Sequence, residues 1–148
     1  MSPRKSDADR IAAIEALVCR DVGRKTAELI AASAGELAAA GQALARATSV
    51  GLITGFFVPR GEVAAAETDG PVGTALLAAA LAACAVPARI AVDTPCVAAV
   101  RAALAAAGGG VAVDEVGVHE SLDRVIAGWR RAGVSHAVAI ERCGRSAD

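Results

Sequence analysis

Residues 49–58 read SVGLITGFFV, a continuous run of β-branched and aromatic residues. Such a run is typical of a strand that is buried on both faces, as in parallel sheets covered by helices. It also marks a change in the hydrophobic pattern, because helical spacing dominates the chain up to about residue 47. The stretch therefore predicts the first strand of a parallel sheet.

Beyond this strand, signals for helix and strand alternate. Further strands are predicted at residues 88–93 (ARIAVD), 111–116 (VAVDEV) and 135–141 (SHAVAIE). The helices between them are predicted from about Val72 to Cys84, over residues 94–110, and along the apolar face Leu122, Val125, Ile126 and Trp129. An irregular loop precedes the first of these helices, and Thr94 at N-cap with Pro95 at N1 opens the second. The alternation predicts an α/β fold, a Rossmann-like parallel sheet of about four strands with flanking helices and right-handed crossovers.

An N-terminal helical segment precedes the sheet region. Ser6–Asp9 has the form of a capping box, and apolar residues recur behind it at helical spacing until Gly23. A second helical piece covers roughly residues 25–32, and Ser33–Glu36 has the pattern of another helix start. We expect a single domain, residues 1–148, made of a helical lead-in (1–47) and an α/β region (48–148).

Composition excludes several classes of protein. The 148 residues are 55% hydrophobic and 21% charged, with a net charge of −1 and 2% aromatic residues. Neither a basic surface nor aromatic stacking platforms for nucleic acid are expected, and nothing attracts an anionic membrane. The longest apolar run, residues 75–86, is too short to span a bilayer, and the N-terminus lacks an apolar signal segment. We therefore expect a cytoplasmic protein, and a homo-oligomer that covers a sheet edge is compatible with the sequence.

The cysteines carry no pattern for metal binding. Cys19, Cys84, Cys96 and Cys143 form no CxxC pair and have no histidine at metal spacing. We expect reduced thiols and no metal site, and no sequence feature requires a nucleotide, flavin or other cofactor.

Polar residues follow the predicted strands where each one ends. They are Thr54 and Gly55, Asp93 and Thr94, Asp114 and Glu115, and Glu141 and Arg142. Ligands of open parallel sheets bind beyond the carboxyl ends of the strands. These groups are therefore expected to meet at one edge of the sheet.

The stretch ETDGPVGT, residues 67–74, lies between the first strand and its helix. Pro71 suits the first helical position, which would place Asp69 or Gly70 near N-cap. The N–H groups of Gly70, Val72, Gly73 and Thr74 would then be free to hold an anion. Glu67 and Asp69 would form an acid/base pair beside that anion site.

Simpler interpretations remain open for most of these residues. Asp69 can serve as a helix cap and Glu67 as a solvated side chain, while Asp93 can belong to a turn. For other residues we expect structural roles: Asp114 and Glu115 in a solvated turn, His119 on the surface, His136 in the last strand, and Cys96 and Trp129 in the core.

Four stretches together resemble a known family. They are VGLITGFFV (50–58), ETDGPVGTALLAAAL (67–81), VDTP (92–95) and AIERCGRSAD (139–148). In this order they resemble the C-terminal domain of the D-glutamate cyclase family, and IEALVCRDVGR (14–24) looks like the start of the same domain. The chain resembles roughly the first half of that domain. A non-catalytic anion-binding module and an inactive truncated fragment are therefore the alternatives to an enzyme.

The resemblance implies a lyase that converts D-glutamate to 5-oxo-D-proline with loss of water. The family motifs fall on Thr54, Gly55, Glu67, Thr68, Asp69, Gly70, Pro71, Asp93, Glu141, Arg142, Gly144 and Asp148. We assign the catalytic roles to Glu67 and Asp69. The residues assigned to substrate binding are Thr54, Gly55, Thr68, Gly70, Gly73, Thr74, Asp93, Glu141 and Arg142. Arg142 is expected to neutralise a substrate carboxylate by a bidentate contact.

Overall fold

The computed structural model describes residues 6–60 and 63–142, and the chain divides into two compact units, residues 1–45 and 46–148. The first unit consists of helices. They are α1 (Asp7–Val18), α2 (Ala27–Ala32) and α3 (Glu36–Ala45). No residue of these three helices is buried, so their apolar side chains are largely exposed.

The capping box of α1 is confirmed. The Ser6 hydroxyl accepts the Asp9 N–H at 3.2 Å, and the Asp9 carboxylate accepts the Ser6 N–H at 3.1 Å. The helix start predicted at Ser33–Glu36 is confirmed, since α3 begins at Glu36. The Ser33 side chain does not cap it, because its hydroxyl donates to the Leu29 carbonyl at 3.0 Å, at the end of α2. The carboxylate of Glu15, on α1, accepts the N–H groups at the start of α3.

The second unit is built on a four-stranded parallel sheet, which confirms the predicted fold class. Its strands are β1 (Val50–Thr54), β4 (Ala88–Asp93), β5 (Ala112–Val116) and β6 (His136–Ala139), in the order β5-β4-β1-β6. Its helices are α4 (Asp69–Ala83), α5 (Val97–Ala107) and α6 (Asp123–Arg131). Because β1 lies between β4 and β6, residues that follow these three strands meet at one edge.

The predicted first strand is in fact two strands. The first of them, β1, ends at Thr54. The second, β2 (Phe57–Arg60), pairs antiparallel with β3 (Val63–Ala66) and forms a hairpin outside the main sheet. The break is at Gly55, whose φ of +142° is open to glycine and strained for other residues. A continuous apolar run does not reveal such a turn, so the expected irregular loop is a hairpin with a register of its own.

The sheet is covered by helices on both faces. Leu52, Ile90 and Val92 are fully buried on the face that carries α4 and α5. On the other face Trp129 of α6 packs with Ala91, Val116 and Val125, and partly buried Ile53 and Val134 pack against this cluster. A Cβ atom on Gly51 would lie 2.1 Å from the Trp129 ring, so glycine in β1 makes room for the indole. The prediction that Trp129 belongs to the core is confirmed.

The start of α5 differs from the predicted one. Residues Thr94–Cys96 form a 3₁₀ turn and α5 begins at Val97, so Thr94 does not cap the helix. Its hydroxyl instead donates to the Val116 carbonyl at 3.1 Å, which ties the turn to β5. In the described ranges, no helix is long and apolar enough to cross a membrane.

Candidate active site

The carboxyl ends of β1, β4 and β6 bring together residues from three separate motifs. Arg142 binds Asp93 through two contacts, Nε to Oδ2 at 2.9 Å and Nη2 to Oδ1 at 3.1 Å. Both side chains are mostly buried, with exposed fractions of 32% and 15%. A Cβ atom on Gly55 would lie 2.9 Å from Asp93 Oδ2, so glycine gives this bidentate pair its space.

Gly70 is the point where α4 touches both β1 and the residues after β6. A Cβ atom on Gly70 would lie 2.9 Å from Thr54 Oγ1 and 2.9 Å from Glu141 Cβ. Glu141 itself has a φ of +47°, and this left-handed conformation is energetically unfavourable for residues other than glycine. The close approach between the ETDGP motif (residues 67–71) and the IER motif (residues 140–142) therefore requires glycine at position 70.

Two hydroxyl groups under the start of α4 have no hydrogen-bond partner among the described residues. They belong to Thr54 and Thr74, whose side chains are fully buried. Burying such a group unpaired costs about 1–3 kcal/mol. Their assignment to substrate binding stays a prediction, and a ligand could reach them only if the buried space around them opened.

Helix α4 starts earlier than its proline suggests. It begins at Asp69 with Thr68 at N-cap, so Pro71 is the third helical residue and the predicted position at N1 is wrong. The Val72 N–H is already bonded to the Thr68 carbonyl at 3.4 Å, and Gly70 N–H donates to Asp69 Oδ1 at 2.9 Å. The amides expected to be free for an anion are therefore used within the helix start.

A cleft of about 440 Å³ lies beside this edge, along the β2–β3 hairpin. The residues that line it are Val58, Arg60, Ala65, Ala66, Glu67 and Thr68. Glu67 closes the base of the hairpin by donating its N–H to the Phe56 carbonyl at 2.8 Å, and its side chain is half-buried. Asp69 is exposed and is not among the described residues that line the cleft.

Sequence reasoning missed Arg60 and the apolar wall around it. The segment was interpreted as an irregular loop, so the pairing that places Arg60 opposite Val63 was not foreseen. An arginine at the end of an apolar run, a few residues before the ETDGP motif, was the available signal.

Other predicted strand-end residues do not join the site. Asp114 is not in a solvated turn: it lies within β5 and accepts hydrogen bonds from the Arg89 guanidinium and from Trp129 Nε1 at 3.0 Å. The Asp114 carboxylate therefore connects β5 with β4 through Arg89 and with α6 through Trp129. Glu115 forms an exposed ion pair with Arg101 at 2.7 Å.

The histidines and the buried cysteine have structural positions. His119 is exposed. His136 is the first residue of β6, so it lies at the amino end of the strand, whereas the site lies at the carboxyl end. Burial raises the pKa of the Cys96 thiol, with a further upward contribution from the Asp93 carboxylate that the Arg142 guanidinium partly offsets. Within residues 6–60 and 63–142, no three potential metal ligands cluster together. Gly144, Asp148 and Cys143 lie outside the described residues.

Comparison with known families covers almost the whole chain. Residues 14–148 match the family model described as D-glutamate cyclase-like, C-terminal. The matched span contains the ETDGP motif, Asp93 and the IER motif. No curated protein and no solved structure matches the chain.

Proposed function

The chain belongs to the D-glutamate cyclase-like, C-terminal family, and from that premise we propose that it catalyses the dehydrating cyclisation of D-glutamate to 5-oxo-D-proline. The observation that carries the proposal is the position of Glu67. Its half-buried carboxylate lines a cleft of small-molecule size and has no hydrogen-bond or ion-pair partner among the described residues. An acidic group held in a cleft without a partner is available for proton transfer.

The reaction requires two protons to move from nitrogen to oxygen. The α-ammonium group loses two protons, its nitrogen attacks the side-chain carboxyl carbon, and one carboxyl oxygen leaves as water with both protons. Charge is balanced, because the substrate and the lactam product each carry a net charge of −1. Glu67 accepts a proton from the ammonium group. We assign the second proton transfer, to the leaving oxygen, to Asp69, which is exposed beside the cleft and has to turn its carboxyl group toward the bound substrate.

The pair formed by Asp93 and Arg142 has a supporting role in this scheme. The Asp93 carboxylate neutralises the Arg142 guanidinium, so the pair does not offer a cation to a substrate carboxylate. It holds the segment after β6 against β4, and through Glu141 it fixes the contact with Gly70. The pair thereby orients the start of α4, and Glu67 and Thr68, which line the cleft, come immediately before that helix.

A proton NMR time course with D-glutamate, run in parallel with L-glutamate, tests the proposal. We expect 5-oxoproline to accumulate from the D-isomer only. Glu67→Gln should abolish turnover with an unchanged melting temperature, because the carboxylate has no hydrogen-bond or ion-pair partner within residues 6–60 and 63–142. Glu28→Gln, at an exposed position in α2, is the matched control and should leave turnover unchanged.

The NMR time course, together with thermal melts with and without D-glutamate, separates an enzyme from a non-catalytic binding module. A module would be stabilised by D-glutamate without forming product, since any ligand that binds the folded state raises the melting temperature. A folded protein that neither binds nor converts D-glutamate would contradict the proposal.

A further inference from the structure

We propose that Arg60 binds the α-carboxylate of the substrate, so that the hairpin cleft is a site for small α-amino acids with a free α-carboxylate. This inference rests on the proposed function and adds to it the residue that selects the substrate class. Neither the family motifs nor the strand-end residues include Arg60.

The first observation is that the expected partner of a substrate carboxylate is already occupied. Two nitrogens of Arg142 contact the two oxygens of Asp93 at 2.9 and 3.1 Å. A substrate carboxylate would have to displace a mostly buried aspartate from this fork, which would leave that charge unpaired. A carboxylate is therefore expected to bind a cation elsewhere at the site.

The second observation is the charge arrangement in the cleft. Arg60 and Glu67 line the same 440 Å³ space, yet no ion pair within 4 Å joins them, and neither side chain has another polar partner among the described residues. A cation and an anion that line one cleft without forming an ion pair with each other complement the carboxylate and ammonium groups of a zwitterion. The wall between them is apolar, with Val58, Ala65 and Ala66, which suits the carbon chain of an amino acid.

The third observation is the span of the hairpin. Arg60 lies opposite Val63 at the start of β3, and Glu67 lies four residues after Val63, directly past the end of β3. At about 3.3 Å per residue, the backbone of Glu67 is about 13 Å along the hairpin from the Arg60–Val63 pair. The long side chain of Arg60 and a small amino acid together span this distance. Because β3 also packs beside the 3₁₀ turn after Asp93, the cleft opens next to the sheet edge that carries the other motifs.

The arrangement predicts which molecules bind. D-Glutamate and D-aspartate present both charges and should bind, whereas the α-amide of D-glutamate lacks the group that Arg60 recognises. Only D-glutamate has the chain length for a five-membered lactam, so binding is broader than turnover.

Isothermal titration of the full chain with D-glutamate and with its α-amide tests the assignment. We expect Arg60→Gln to weaken D-glutamate binding at least tenfold and to leave the weak binding of the amide unchanged, while Arg60→Lys restores part of the affinity. Arg46→Gln, which removes an exposed cation of the same unit, is the matched control and should have no effect. Equal affinity of Arg60→Gln and wild type for D-glutamate, or equal loss for both ligands, would overturn the inference, as would a wild type that binds no D-glutamate.

The outcomes for Arg60 and for the reaction are distinguishable. Binding that depends on Arg60 without 5-oxoproline formation supports this inference and refutes the proposed reaction. Turnover with an unchanged KM in Arg60→Gln supports the reaction and refutes this inference.

Discussion

Replacing Gly70 by alanine tests whether the ETDGP and IER motifs meet as the structure shows. The added Cβ would lie 2.9 Å from Thr54 Oγ1 and 2.9 Å from Glu141 Cβ, closer than atoms of this kind approach without a shift. Neither neighbour can rotate away easily, since one is fully buried and the other is a Cβ fixed to the backbone. The clash should displace Glu141 and, through it, the ion pair of Arg142.

Gly73, one turn further along α4, provides a matched control. Among the described residues, a Cβ there would meet Ile140 Cγ2 alone, at 3.5 Å, which is an ordinary van der Waals contact. Both substitutions gain the helix propensity of alanine over glycine, at most about 1 kcal/mol, so this gain largely cancels in their difference. The remaining difference is the overpacking at Gly70, about 1–3 kcal/mol.

Urea and thermal unfolding of the two variants measure that difference. We expect Gly73→Ala to be as stable as wild type or slightly more stable. Gly70→Ala should melt about 6 °C below Gly73→Ala, for a difference of about 2 kcal/mol between the two variants. Adding Glu141→Gly to Gly70→Ala should recover about 1 kcal/mol beyond additivity, because it removes one of the two clashing atoms. The relief of the positive φ at residue 141 is the same with and without Gly70→Ala, so it cancels in this comparison. Equal stabilities for the two alanine variants, or strict additivity in the double variant, would refute the contact.

Two other residues give predictions of stability that the structure makes specific. Thr54→Val removes a buried hydroxyl that has no partner among the described residues, so it should raise the free energy of unfolding in urea by about 1 kcal/mol. It should also slow 5-oxoproline formation if the hydroxyl contacts the substrate. A loss of stability would show that the hydroxyl has a hydrogen-bond partner in solution. Since burial raises the pKa of the Cys96 thiol above the ordinary 9.0, folding favours its protonated form, and this stabilisation is complete below about pH 9 and is lost as the pH rises through the folded-state pKa. Iodoacetamide at pH 8 should accordingly label exposed Cys84 well before Cys96, and comparable labelling rates in the folded protein would contradict the burial of Cys96.

Local patterns predicted the elements that depend on near neighbours in the chain. The capping box at Ser6–Asp9 joins residues three apart, and the apolar face of α6 repeats at helical spacing, so both were visible in the sequence. The alternation of helix and strand predicted the parallel sheet for the same reason. The order of its strands, with β1 in the middle, was not predictable from that alternation.

Predictions failed where a residue far away in the chain decided the outcome. Asp114 was assigned to a solvated turn, but Arg89 and Trp129 approach it from a neighbouring strand and a helix. The start of α4 is a local exception: Pro71 predicts the first helical position for itself, whereas Thr68 occupies N-cap and Pro71 is tolerated within the first turn.

The sequence by itself determined the α/β class, the positions of most helices and strands, and the motifs that identify the family, because hydrophobic periodicity and short-range hydrogen bonds are properties of neighbouring residues. The tertiary structure alone decided that Arg142 is bound to Asp93, 49 positions earlier in the chain. It also decided that Arg60 faces the cleft of Glu67 through a hairpin that the apolar run had concealed. Charge pairing depends on distances in space, and the packing of β1, β4 and β6 sets those distances.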